Sequence, residues 1–164
     1  MKGLITAIID QMEQIHQGKG WIGVNFENKV QGLSDIDFFA QVKGMHSIAE
    51  IISHLTTWRV ETILKIKTGE GSITDDDPRN WKSNEDLRKV GKDEILRKHA
   101  ESLSKLLGLL KEKNDDFLNE IYYDTDFKSN YPYDFLTLGM LQHDIYHLGQ
   151  IGLLIKCLKS NPNN

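Results

Sequence analysis

Between about residues 134 and 159 the chain places Leu136, Met140, His143, His147, Ile151 and Leu154 three or four positions apart, a period that an α-helix turns into one continuous face. Leu138, Leu141, Ile145, Leu148 and Ile155 cover much of the remaining circumference, so this helix is expected to be buried on more than one side. Such a helix needs other helices around it, and the sequence supplies them. Residues 2–17, roughly, carry Leu4, Ile5, Ile8, Ile9, Met12 and Ile15 on one side and stop at Gly18 and Gly20. A second long helix is predicted to open at Ser47, where Ser47-Ile-Ala-Glu50 matches a capping box, and to close near Gly69. Its inner stripe is Ile48, Ile51, Ile52, Leu55, Ile63 and Ile66, and a further helix from about Lys92 to Lys113 shows Ile95, Leu96, Leu103, Leu106, Leu107 and Leu110.

No segment carries a convincing run of strand alternation. Trp21 to Val42 reads as a short helix and a connector, and Glu70 to Gly91, with Asp75, Asp76, Asp77, Pro78 and Trp81, as a long exposed loop. A Tyr- and Asp-rich connector leads to Pro132 and Tyr133. The fold class is therefore all-α: a four-helix bundle forming one domain over residues 1–164.

Charge and motifs remove several function classes. A net charge of −4, with twenty dispersed Lys and Arg, gives no basic field for gathering phosphates and argues against nucleic acid as a partner. The lone Cys157 cannot form an internal disulfide. The apolar run from Leu4 to Ile9 is followed by no small-residue cleavage site, and no stretch reaches the ~18–20 apolar residues of a membrane span. No membrane partner and a cytoplasmic location are expected. The chain has no Gly-rich phosphate loop, Ser nucleophile elbow or Cys-x-x-Cys pair, and the aspartates at 75–77 lack the glycine and closing glutamate of a calcium loop.

That leaves the histidines. His143 and His147, four apart, stand one above the other with Cβ atoms about 5–6 Å apart, a separation two rings can close onto one metal ion. Read alone, the pair is more simply two core-edge histidines hydrogen-bonded to neighbours, or a surface pair at an accidental spacing. His54, on the flank of the second long helix in line with Ile51 and Trp58, adds a third imidazole. Three neutral imidazoles with an open position match a catalytic rather than a closed structural site, and burying all three without a ligand would be costly. His46 at the helix mouth, Glu50 and Trp58 on the face of His54, and Gln150 three residues after His147 are weaker candidates for surrounding or pocket roles. For each, capping, packing or solvation is the plainer explanation. His99 reads as a satisfied or half-exposed helix histidine. His16, in Glu13-x-x-His16, has the spacing of di-iron carboxylate bundles without the required second motif, and reads as solvated.

The pattern His46-Ser-Ile-Ala-Glu-Ile-Ile-Ser-His54-Leu-Thr-Thr-Trp58, followed by His143-Asp-Ile-Tyr-His147-Leu-Gly-Gln150, resembles the DinB/YfiT-like superfamily over nearly the whole chain. The resemblance implies an up-down-down-up bundle, often a homodimer, with a divalent ion (zinc, nickel or iron) held by His54, His143 and His147. It further implies a metal-dependent thiol S-transferase that uses bacillithiol, mycothiol or glutathione on an electrophile. Two alternatives stay open: a metal-dependent hydrolase, and a non-enzymatic metal-binding or stress-response bundle with a structural or vestigial ion. A helical interaction module without metal is the third competing reading.

Overall fold

The computed structural model describes residues 2–160. In chain order it contains α1 (Leu4–His16), the short α2 (Phe26–Val30) and α3 (Asp35–Phe38), α4 (Ile48–Thr68), α5 (Asn84–Val90), α6 (Lys92–Lys111), a 3-10 turn (Asp115–Asn119), strands β1 (Ile121–Asp124) and β2 (Ser129–Pro132), and α7 (Tyr133–Ser160). The long helices fall where the apolar period puts them. α4 starts on the expected capping box: the Glu50 amide donates to Ser47 Oγ at 3.2 Å, and the Ser47 amide donates to Glu50 Oε2 at 2.7 Å. It stops at Gly69, whose φ of 78° is the left-handed conformation that favours glycine at a helix end.

Contacts along the helices define their directions. The Tyr133 hydroxyl at the start of α7 donates to the Lys65 carbonyl near the end of α4, so these two helices run antiparallel. Thr56 and Arg59 of α4 meet His99 and Ser102 of α6, while α5, just before α6, ties back to the α4 cap through Ser47 Oγ and Asn84 Oδ1 at 3.0 Å. α4 and α6 are therefore parallel. The Leu4 amide of α1 donates to Asp115, just beyond α6, so α1 opposes α6 and the bundle runs up-down-down-up. A parallel pair cannot be joined by a tight turn, and residues 69–91 form the crossover strap along the outside of the bundle.

Three expectations need correction. The connector before α7 holds a two-stranded antiparallel hairpin, pairing Ile121 with Pro132 and Asp124 with Ser129. Each strand has only four residues, too few for an alternation to show. The segment from Trp21 to Val42 has two short helices, each capped through a side chain, by Asn25 and by Ser34. The stretch from Glu70 to Gly91 is only partly an exposed loop: Ile73 and Asn80 are buried and α5 occupies its end.

The core has two apolar lobes. One gathers Ile5, Ile8, Met12, Leu106, Leu110, Phe117, Tyr122 and Met140; the other gathers Phe26, Phe38, Ile48, Ile52, Leu55, Ile95, Leu148 and Ile151. At ~1.5–3 kcal/mol for each large apolar side chain fully removed from water, these lobes hold the bundle together. On α4, α6 and α7, the buried Arg59, His99 and Asp144 sit between residues of the first lobe and residues of the second. Among the described residues, no helix is long and apolar enough to cross a membrane.

Candidate metal centre

α4 supplies His54 and α7 supplies His143 and His147. The antiparallel contact of the two helices brings the three rings together. His143 Nε2 lies 2.9 Å from His54 Nε2 and 3.0 Å from His147 Nε2, and one ligand atom from each ring falls within 4.8 Å of the others. His54 and His147 are buried and His143 is half-buried.

The outward ring nitrogens have partners of their own. His54 Nδ1 faces Asn80 Oδ1 at 2.7 Å, and His147 Nδ1 faces Gln150 Oε1 at 2.6 Å. A ring nitrogen opposite an amide oxygen carries the proton, so Nε2 of both rings keeps its lone pair. Both lone pairs point at His143 Nε2, which has at most one proton to share between them. Such a cluster of lone pairs fits a cation, and the donor set suits a transition metal. Burial, reinforced by the neighbouring rings, lowers the imidazolium pKa of His54 from 6.5 to about 3; burial and His147 lower that of His143 to about 4. His147 shifts down as well, through burial, with its bond to Gln150 opposing. The rings stay neutral, as ligation requires.

The triad opens on a cavity of about 580 Å³ whose floor follows one stripe of α4, namely His54, Trp58, Thr62 and Lys65, and one stripe of α7, namely Leu136, Met140, His143 and His147. The eleven residue-to-residue steps of helix from His54 to Lys65 span roughly 16 Å at about 1.5 Å each, so the cavity is a trough with the histidines toward one end. At the other end Lys65 Nζ donates to Asp124 Oδ2 at 2.8 Å, and the Tyr122 hydroxyl donates to the same oxygen at 3.2 Å. Burial opposes ionisation of Asp124, yet Lys65 and the Phe127 amide hold its carboxyl below the usual range. Trp81 forms one wall, stacked between His46 at 3.8 Å and His54 at 3.9 Å.

The weaker sequence candidates separate accordingly. Gln150 bonds His147, Trp58 lines the trough and donates its indole N–H to Asn80, and His46 reaches the wall through Trp81. Glu50 is spent on the cap and on Gln41 Nε2, and does not line the trough. Asn80, Trp81, Lys65 and Asp124 escaped the sequence reading as site residues because they arrive from the strap, the far end of α4 and the hairpin, with no local spacing to mark them.

Behind the trough lies a second polar cluster, and here the reading of His16 as solvated is overturned. His16 is 4% exposed; Phe26 of α2 folds over it, stacked at 4.6 Å, and its Nε2 lies 2.9 Å from Asp144 Oδ2. Asp144 accepts from Arg59 at 3.1 Å, and Arg59 donates onward to the His99 carbonyl and Ser102 Oγ, both at 3.2 Å. Burial opposes the charge on Asp144, but Arg59 and His16 together hold its carboxyl well below the carboxylate range. Residues 143 and 144 are about 100° apart around the helix, so α7 turns a histidine to the trough and an ion pair to the core at the same level.

The comparisons with known proteins bear on this arrangement. No solved structure matches the chain. Outer dynein arm-docking complex subunit 1 of Rattus norvegicus is 25% identical over 137 residues, 80% of this chain, and the chain spans only 18% of that protein's length. That likeness carries no argument about the site. The profile described as the DinB superfamily matches residues 24–151, a span that includes His54, Asn80, His143, His147 and Gln150. This match covers well over half of the sequence, and the chain belongs to the DinB superfamily.

Proposed function

We propose that His54, His143 and His147 hold a divalent metal ion, and that the protein is a metal-dependent transferase in which a low-molecular-weight thiol attacks an electrophile. The observation that carries this reading is the convergence of three Nε2 atoms, at least two with their lone pairs turned inward, at the wall of an open trough. A bound ion would act there as a Lewis acid, favouring the thiolate of a bound thiol near neutral pH. The chain's own residues do the rest. Trp58, Leu136 and Met140 give the trough an apolar floor that limits water next to the thiol. Lys65, Asp124 and Tyr122 offer polar groups at the far end for the remainder of a ligand. In this reading none of the described side chains serves as a covalent nucleophile: Cys157 lies ten residues beyond His147, roughly 15 Å along the helix, and is exposed.

A purely structural ion is the less favoured reading, because a closed structural site has no use for a cavity of about 580 Å³ beside it. The test has two parts. Protein purified without a histidine tag and supplied with zinc or nickel is expected to retain about one equivalent by elemental analysis, and His143→Ala much less. The loaded protein is then assayed for conjugation of glutathione or bacillithiol to an electrophilic acceptor. Equal rates for wild type and His143→Ala would sink the transferase reading, and less than a tenth of an equivalent in the wild type would sink the metal.

A further inference from the structure

We infer that Asn80 is a positioning residue for His54, and that the crossover strap thereby sets the triad's readiness for an ion. Asn80 is buried, and the atom that faces His54 Nδ1 at 2.7 Å also receives the Trp58 indole N–H at 2.8 Å. An indole N–H only donates, so that atom is the oxygen. The other end of the amide agrees: Nδ2 donates to the Asp75 carbonyl at 2.9 Å. With the amide orientation fixed, His54 has one comfortable tautomer, protonated on Nδ1 and bare on Nε2.

His147 receives the same treatment from Gln150, but within a single helix, three residues apart. Asn80 is different, because it reaches His54 from 26 positions along the chain. Its neighbour Trp81 covers the face of the same ring, nearly parallel to it at an angle of 7°. One strap therefore controls both the edge and the face of a single ligand. The strap is moored at both ends: Glu61 accepts from the amides of Ser72 and Ile73, the Thr125 hydroxyl donates to the Gly71 carbonyl, and Arg88 and Asn84 donate to the Phe39 carbonyl. If the strap lifts, His54 loses its tautomer bias; an ion that needs the bare Nε2 in turn holds the strap down, by linkage.

The inference rests on the metal-binding reading only for its affinity arm. Its first arm uses the metal-free protein, in which long-range 15N–1H correlation spectra report the tautomer of His54. Wild type is expected to carry the proton on Nδ1. Asn80→Asp keeps the oxygen that accepts from His54 and Trp58 and gives up only the donor to the Asp75 carbonyl, so it should preserve that tautomer. Asn80→Leu gives up everything and should show Nε2–H or a mixture. In the second arm, zinc affinity is measured by chelator competition: Asn80→Leu should weaken binding by about 10–100-fold, the usual effect of losing a ligand's orienting partner, with Asn80→Asp closer to wild type. A merely structural asparagine predicts that Asp is as damaging as Leu in both arms, and that result would overturn the inference. So would a wild-type His54 protonated on Nε2, a finding that needs no variant to fold. If wild type binds no zinc, the metal reading fails while the tautomers still decide the role of Asn80.

Discussion

Arg59 is fully buried, and its charge is answered by Asp144. A buried ion pair adds little net stability when intact, because the Coulombic gain is set against the desolvation of both ions; removing one partner strands the other. Arg59→Met should therefore cost about 3–5 kcal/mol in urea unfolding, far more than its lost packing. A cost under about 1 kcal/mol would mean that Asp144 relaxes to water or takes up a proton in the variant. What could be read at this scale depended on distance along the chain. His143 and His147 announce themselves by local spacing, and His54 by its place on an apolar flank. His16 did not, because its burial depends on Phe26 packing over it after a turn that the sequence does not spell out. The pairing of Asp144 left no mark either, because its partner Arg59 is 85 residues distant.

Among the elements, α4 was the most legible, since both its ends carry local signals: the capping box at Ser47 and the glycine after Thr68. Ser47→Ala is expected to cost about 1 kcal/mol for the lost cap. The same hydroxyl donates to Asn84, so the variant should also loosen the strap end at α5, which amide hydrogen exchange of residues 84–90 would register. Unchanged exchange there would confine the role of Ser47 to its own helix. The hairpin was illegible for the opposite reason. Its position is set by contacts with distant segments, namely the Tyr123 amide on the Gly69 carbonyl at 2.9 Å and Asp124 on Lys65. Nothing within four residues of either strand encodes those contacts.

The whole molecule carries five histidines whose pKa is held down by burial first: His16, His54, His99, His143 and His147. A histidine kept neutral in the fold is protonated only on unfolding, so below pH 6.5 the unfolded chain binds more protons and stability falls as the pH falls. For His99, whose pKa lies well below 6.5, the loss between pH 6.5 and 5.5 should be about 1 kcal/mol. Urea titrations of metal-free protein at the two pH values should show His99→Gln losing less than wild type by about that amount; identical losses would mean that His99 protonates in place. On the proposed metal reading, zinc is expected to act in the other direction. At a hundred times its dissociation constant it should add about 2.7 kcal/mol, a rise in melting temperature of roughly 5–10 °C, and His143→Ala should show none of it.

The order in which the helices are wired has a consequence for solvent. Had the chain run up-down-up-down, α4 and its successor would be antiparallel and a few residues would join them at one end of the bundle. The side of the trough now closed by Asn80 and Trp81 would then lie open, and His54 would face bulk water. Helix packing alone assembles the three imidazoles, but the long detour demanded by a parallel pair is what covers His54. The shielding of His54 from solvent, and with it the strength of charge interactions at that ring, is thus a property of connectivity rather than of the bundle's cross-section.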